Sequence, residues 1–157
     1  MIRKATLEDV PEIARLSSLK RKQYEQYQPV FHKEAEGALE KQSLFLKDNI
    51  TKDHLMVLVH DEAGKKINGF IIGAIVNAPP VYNPGGKVCL VDDFMVEDPS
   101  LWATVGVLLL NQVVELGKEK GAVLANVVCG PMDQPKREML DKFGFDVATE
   151  WHVKSIK

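Results

Sequence analysis

The segment Lys87–Cys129, KVCLVDDFMVEDPSLWATVGVLLLNQVVELGKEKGAVLANVVC, decides the fold. KVCLVDDFMV is apolar on both faces, the pattern of a strand lying inside a sheet. From Leu101 the apolar residues follow helical spacing as far as Lys120, and Gly121 is placed to cap the helix end. Asp98 followed by Pro99 is a helix-start signal, with Asp as N-cap and Pro at the first helical position. AVLANVVC then reads as a second buried strand. A strand joined through a long helix to a neighbouring strand makes a parallel, right-handed crossover.

Working outward, MIRKAT is a short strand and DVPEIARLSSLKRKQ a helix. Asp9 is its expected N-cap, with Pro11 in the first turn, Glu12 at the capping-box position, and Val10, Ile13, Ala14 and Leu16 as the buried face. KEAEGALEKQSLFLKDNI is a second helix, with Ala35, Ala38, Leu39, Gln42 and Leu46 at helical spacing. Gly37 within it costs about 1 kcal/mol against alanine. HLMVLVHD and INGFIIGAIVN form an antiparallel hairpin across the turn EAGKK, which contains Gly64. APPVYNPGG is a loop. After the crossover, GPMDQ turns the chain, PKREMLDKFG is a short helix and FDVATEWHVKSI a closing strand. The expected fold is α/β (α+β): a mixed, mostly antiparallel central sheet of about six to seven strands with helices on both faces. Residues 1–157 are expected to form a single domain.

Composition narrows the function. Hydrophobic residues make up 45% and charged residues 27%, ordinary for a soluble protein. A net charge of −2 disfavours nucleic acid as partner, because phosphate binding needs a basic surface. The cluster Lys20, Arg21, Lys22 reads as a solvated helix end. No apolar run approaches the roughly 20 residues of a membrane span, and the amino terminus has no apolar signal core. Cys89 and Cys129 lie in apolar strands without metal or redox spacing, which fits reduced thiols in a cytoplasmic protein. His32, His54, His60 and His152 show no metal spacing, and neither a serine-nucleophile elbow nor a dinucleotide fingerprint is present.

The element order, with the stretches IRKATLEDVPEIARL, LVDDFMVEDP and MLDKFGF, resembles the GNAT family of N-acetyltransferases over nearly the whole chain. The resemblance implies transfer of an acetyl group from acetyl-CoA, as co-substrate, to a primary amine of a small molecule or a protein. It places acetyl-CoA along Phe94, Met95 and Val96, then on the turn Leu101, Trp102, Ala103, Thr104, Val105 and Gly106, with Asp133 where the family commonly has an asparagine. The family's pyrophosphate motif falls on Leu101, Thr104 and Gly106, and only Gly106 matches it. Such a turn works because backbone N–H groups at a helix start face the phosphates and small residues allow close approach. Leu101 supplies no guanidinium, Trp102 adds bulk, and a capping Asp98 would occupy donors and repel phosphate. Leu140 stands where the family often has a tyrosine that protonates the departing thiolate. Cys129 falls near the implied thioester.

Asp92 and Asp93 interrupt an apolar strand, where a carboxylate is costly unless something holds it. In the resemblance an acidic residue here deprotonates the substrate amine, and burial beside a second carboxylate would raise its pKa toward that task. Successive strand residues face opposite ways, so one Asp is expected in the cleft and the other outside it, with Asp92 as the base. The other reading is that both accept backbone hydrogen bonds at a bulge and do no chemistry. Two functions stand at this point: an N-acetyltransferase, or a non-catalytic protein of the same fold that binds a small molecule or protein partner through an altered cleft. A homodimer is a possible assembly.

Overall fold

The computed structural model describes residues 1–64 and 66–157. Its strands are β1 (Ile2–Lys4), β2 (Leu55–Asp61), β3 (Ile67–Val76), β4 (Lys87–Val96) and β5 (Ala122–Val127). Its α-helices are α1 (Val10–Tyr27), α2 (Ala38–Asn49), α3 (Val105–Glu119) and α4 (Gln134–Lys142), with 3-10 turns at Leu7–Asp9 and Pro99–Ala103. The strands lie side by side in chain order. Each neighbouring pair is antiparallel except β4 and β5, which are parallel across α3.

Register and packing fix the two faces of the sheet. Gly69, Ile71 and Gly73 of β3, with Val96, Phe94 and Val91 opposite on β4, face α3. The two glycines are what let α3 approach. A Cβ at Gly69 would lie 2.8 Å from Val105 Cγ1, and one at Gly73 would lie 2.7 Å from Val113 Cγ2. Phe70, Ile72 and Ala74, with Met95, Asp93 and Leu90 opposite, face α1 and α2. Leu109, Leu110 and Val113 on one side and Ile13, Leu16 and Leu46 on the other are fully buried, so the core has two layers.

Three expectations are corrected, and one falls partly on an undescribed residue. Helix entry is capped one turn earlier than expected. Thr6 and Asp9 form the capping box, Thr6 N–H donates to Asp9 at 2.7 Å, and Asp9 also takes a bidentate pair from Arg3. Helix α2 begins only at Ala38, because Gly37 takes a left-handed conformation (φ 69°) that ends the preceding turn and leaves Ala35 outside. The hairpin turn after Asp61 includes Lys65, which lies outside the described residues. Finally, the segment after α4 forms no strand, so the sheet has five strands among the described residues rather than six or seven. Among those residues, no helix is long and apolar enough to cross a membrane.

Candidate functional site

Strands β4 and β5 pair only as far as Val91 and Val127, and Val128 N–H donates to Val91 O at 2.9 Å just beyond. From there β4 continues against β3 alone, and the two parallel strands part. On the β3 side the register shifts at the same place: Ile72 opposes Asp93 and Gly73 opposes Val91. Asp92 is therefore the extra residue of a β-bulge. The bulge corrects the expected alternation, because it turns both Asp92 and Asp93 toward the α1 and α2 side, where they line one cavity.

That cavity has a volume of about 380 Å³ and apolar walls that include Phe45, Leu55, Ile72, Ala74 and Leu90. Asp93 is fully engaged. Its Oδ2 accepts from Ser17 Oγ at 2.8 Å and Gln42 Nε2 at 3.2 Å, and its Oδ1 accepts from Lys20 Nζ at 2.9 Å. Lys20 also donates to the Asp92 carbonyl at 2.9 Å, fastening the bulge to α1. The Asp92 carboxylate, by contrast, has no hydrogen-bond partner among the described residues. Arg21 lines the same cavity, donating from Nη1 to Ser17 Oγ and from Nε to Glu34, while its Nη2 is shielded from solvent and unpartnered. Lys20 and Arg21 thus turn inward. Only Lys22 of that cluster is the solvated cation expected of all three.

The gap between β4 and β5 is filled from both faces. From α4, the fully buried Lys136 ammonium donates to Val128 O at 2.8 Å and reaches Phe94 O at 3.5 Å. It lies 5.1 Å from the Phe94 ring centre and 5.4 Å from that of Trp102, within cation–π range. Burial, helped by the nearby Lys20 charge, lowers its pKa to about 8. From α1, buried Tyr24 donates to Asp133 Oδ2 at 2.8 Å and accepts from Gly130 N–H at 3.1 Å. Burial and the Asp133 charge push the Tyr24 pKa up, so its hydroxyl keeps its proton. The Cys129 thiol is likewise pushed up by burial, to about 11, which removes the thiolate a nucleophile needs.

The turn after β4 is closed on itself. Asp98 Oδ1 accepts from Ser100 N–H at 2.8 Å and Ser100 Oγ at 2.6 Å. Leu101 N–H donates to Asp98 O, and Thr104 N–H donates to Leu101 O. Trp102 is buried, edge-on to Phe94, and covers Gly106, where a Cβ would lie 2.8 Å from the indole. Gly106 therefore makes room for Trp102. Glu97, beside the turn, is already paired with Arg15 and Lys66, which hold its pKa below the usual carboxylate range. A pyrophosphate does not fit this turn: three amides are spent, a carboxylate sits at its mouth and no side chain of the turn is cationic.

The other expected positions divide. Phe94, Met95, Val96 and Val105 are buried with their side chains in the core, Ala103 and Thr104 are exposed, and Leu101 is half-buried. Asp133 is buried and committed to Tyr24. Leu140 is a core residue and does not open onto a cleft. Three side chains at the gap were not anticipated: Lys20, Tyr24 and Lys136. The helical spacing Val10, Ile13, Ser17, Lys20, Tyr24 carries the first two, and it extends past Leu16, where the apolar stripe stops. Lys136 had no such signal. Among the described residues no cluster of side chains is arranged to hold a metal ion.

Neither a protein-family model nor a curated protein sequence matches this chain. Solved structures do. A mutant of the BH1408 protein from Bacillus halodurans superposes with a TM-score of 0.86 at 17% identity, covering 100% of this chain and 99% of that one. A predicted acetyltransferase with acetyl-CoA from Clostridium acetobutylicum gives 0.74 at 18% identity, with 99% and 96% covered. The ribosomal-protein-alanine N-acetyltransferase of Brucella melitensis biovar Abortus 2308 gives 0.64 at 15% identity, with 100% and 99% covered. The chain has the GNAT acetyltransferase fold.

Proposed function

We propose that this chain is an N-acetyltransferase that takes its acetyl group from acetyl-CoA and transfers it to a primary amine seated in the cavity beneath α1 and α2. One observation carries the reading. The β4 bulge presents the unpartnered carboxylate of Asp92 in an apolar-walled cavity, at the point where β4 and β5 part. An alkylammonium group entering there would pair with Asp92 and pass it one proton; the neutral amine would then attack the thioester carbonyl, the carbon–sulfur bond would break, and the departing thiolate would take up the second proton that the nitrogen loses as the amide forms. Asp93 does not share that task. Held by Ser17, Gln42 and Lys20, it fixes the bulge that aims Asp92. Catalysis rests mainly on holding the amine in place, a contribution that reaches several kcal/mol in well-oriented systems.

The donor side is the weak side, because the turn after β4 does not fit a pyrophosphate as it stands. The proposed enzyme therefore binds acetyl-CoA with a dissociation constant of about 0.1 mM or higher, equivalent to about 5.5 kcal/mol or less. The same closed turn favours the second reading, a non-catalytic protein that holds an amine-bearing molecule in this cavity. Calorimetry with acetyl-CoA, together with a thiol-release assay over a panel of primary amines, decides between them. Amine-dependent release that Asp92→Asn abolishes supports the enzyme. Absence of acyl-CoA binding, even with Leu101→Arg and Thr104→Gly opening the turn, leaves the binding protein.

A further inference from the structure

The cavity holds a second unspent group besides Asp92. Arg21 lines it, and the Nη2 of its guanidinium is shielded from solvent without a partner, although Nε and Nη1 are engaged by Glu34 and Ser17. Leaving a charged donor buried and unpaired costs free energy, which a ligand anion would recover. A free carboxylate and a guanidinium with one unspent, shielded donor thus line one space of about 380 Å³. We infer that the ligand of this cavity is a zwitterion, an amino acid or related amino carboxylate, with its ammonium on Asp92 and its carboxylate on Arg21. The inference rests on the amine-binding reading above and adds the carboxylate.

Binding is the test, read by calorimetry on the full chain without acetyl-CoA. The probes are two matched pairs: leucine with 3-methylbutylamine, and 6-aminohexanoate with hexylamine. At least one amino carboxylate is expected to bind tenfold or more tightly than its matched amine. Arg21→Gln should erase that ratio, and Asp92→Asn, at an exposed side chain, should weaken both members alike. Equal affinity within both pairs, no binding of any probe, or a ratio that survives Arg21→Gln overturns the inference. Acetyl transfer is measured separately. A carboxylate preference without any transfer sinks the enzyme and keeps the zwitterion, whereas transfer to plain amines without preference does the reverse.

The carboxy-terminal segment carries a second inference from different residues. Phe145, Val147, Thr149, Trp151 and Val153 alternate with Asp146, Ala148, Glu150, His152 and Lys154, the period of a half-buried strand. Yet the last backbone hydrogen bond among these residues is Phe145 N–H to Leu140 O. The apolar face stands in solvent, with Val147 65% and Trp151 83% exposed. The Trp151 ring leans toward Phe31 in the α1–α2 connection (centroids 6.1 Å apart). Meanwhile β5 is an edge strand whose outer side is unpaired among the described residues, and Val123 and Leu124 lie exposed on it. Beside it runs a groove of about 370 Å³ walled by Leu110, Val114, Ala125, Phe143 and Phe145. An unpaired strand edge and an unpaired amphipathic segment are each unfavourable alone.

Every copy carries one of each, so a two-fold pair satisfies both at once. We infer that the segment Phe145–Ile156 pairs with β5 of a second copy and receives that copy's segment in return. Light scattering from about 1 to 100 µM is expected to give twice the 17.5 kDa chain mass. The double variant Val147→Pro, His152→Pro removes one N–H from each side of the strand, so a ladder donor is lost whichever side faces β5, and should raise the dimer dissociation constant at least tenfold. A chain that is monomeric throughout that range has paired the segment internally, with another protein or not at all, and the inference falls. It falls equally if the proline variant dimerises undiminished.

Discussion

The Lys136 ammonium lies 2.8 Å from the Val128 carbonyl oxygen, where β4 and β5 separate, and it is a fully buried charge in the gap between them. Two carbonyls and two aromatic faces hold it, with no carboxylate hydrogen-bonded to it. Its desolvation is therefore only partly offset.

This has a pH signature. The Lys136 pKa falls from 10.5 to about 8 on folding, so below pH 8 both states carry the proton and its burial penalty is constant. Between there and pH 10.5 the unfolded chain binds more protons, and stability rises with pH by about 3 kcal/mol from this group. Lys136→Met should abolish that rise and, at neutral pH, leave the protein equally stable or about 1–3 kcal/mol more so. Urea unfolding at a series of pH values checks both.

Asp92 and Asp93 should separate cleanly. Asp92→Asn is expected to lower acetyl transfer by roughly 10²–10⁴-fold while leaving the unfolding midpoint near its original value. Asp93→Asn weakens the contacts of a largely buried carboxylate with Ser17, Gln42 and Lys20, and should cost about 1–3 kcal/mol in stability. Equal effects of the two on stability would contradict the division of roles.

Opening the turn tests the donor site. Leu101→Arg with Thr104→Gly should tighten acetyl-CoA about 10- to 100-fold, the worth of a charge-assisted bond to phosphate. Asp98→Asn should tighten it further by removing the charge that now accepts from Ser100. Isothermal calorimetry on each variant gives the answer.

Leu140 and Tyr24 test how α4 is held against the rest of the fold. Leu140→Tyr should destabilise the protein by about 1–3 kcal/mol through overpacking, because Leu140 is core and not cleft. Tyr24→Phe strips Asp133 of its hydroxyl donor and Gly130 N–H of its acceptor, at a similar cost of about 1–3 kcal/mol. Thermal melts suffice for both.

The parallel crossover was legible because Lys87–Cys129 carries period, length and caps that agree with one another. The bulge at Asp92 was weighed from the sequence only as a place where neither carboxylate does chemistry, since a register shift depends on the partner strand and not on local text. Nor could the closing strand be judged: FDVATEWHVKSI has the right alternation, but pairing requires an edge to meet it. Asp98 caps as its Asp–Pro signal predicts, but what it caps is the 3-10 turn Pro99–Ala103, and α3 starts separately at Val105. Tyr24 and Lys136 reach the gap across 106 residues and 8 residues of chain respectively, distances that only the tertiary fold closes.

The glycine contacts between β3 and α3 make the two faces of the sheet mechanically unequal. Val105 and Val113 are seated against backbone with no Cβ to slide over, whereas α2 has Leu46 as its one fully buried side chain and touches the site through Gln42. Amide hydrogen exchange should therefore be slow along α3 and markedly faster along α2, whose opening needs far less apolar surface to be exposed. The floor of the cavity is fixed and its roof is the movable part. A ligand in the cavity would tie α2 to the sheet, and its affinity would show up as slowed exchange in that helix before any change is seen in the sheet.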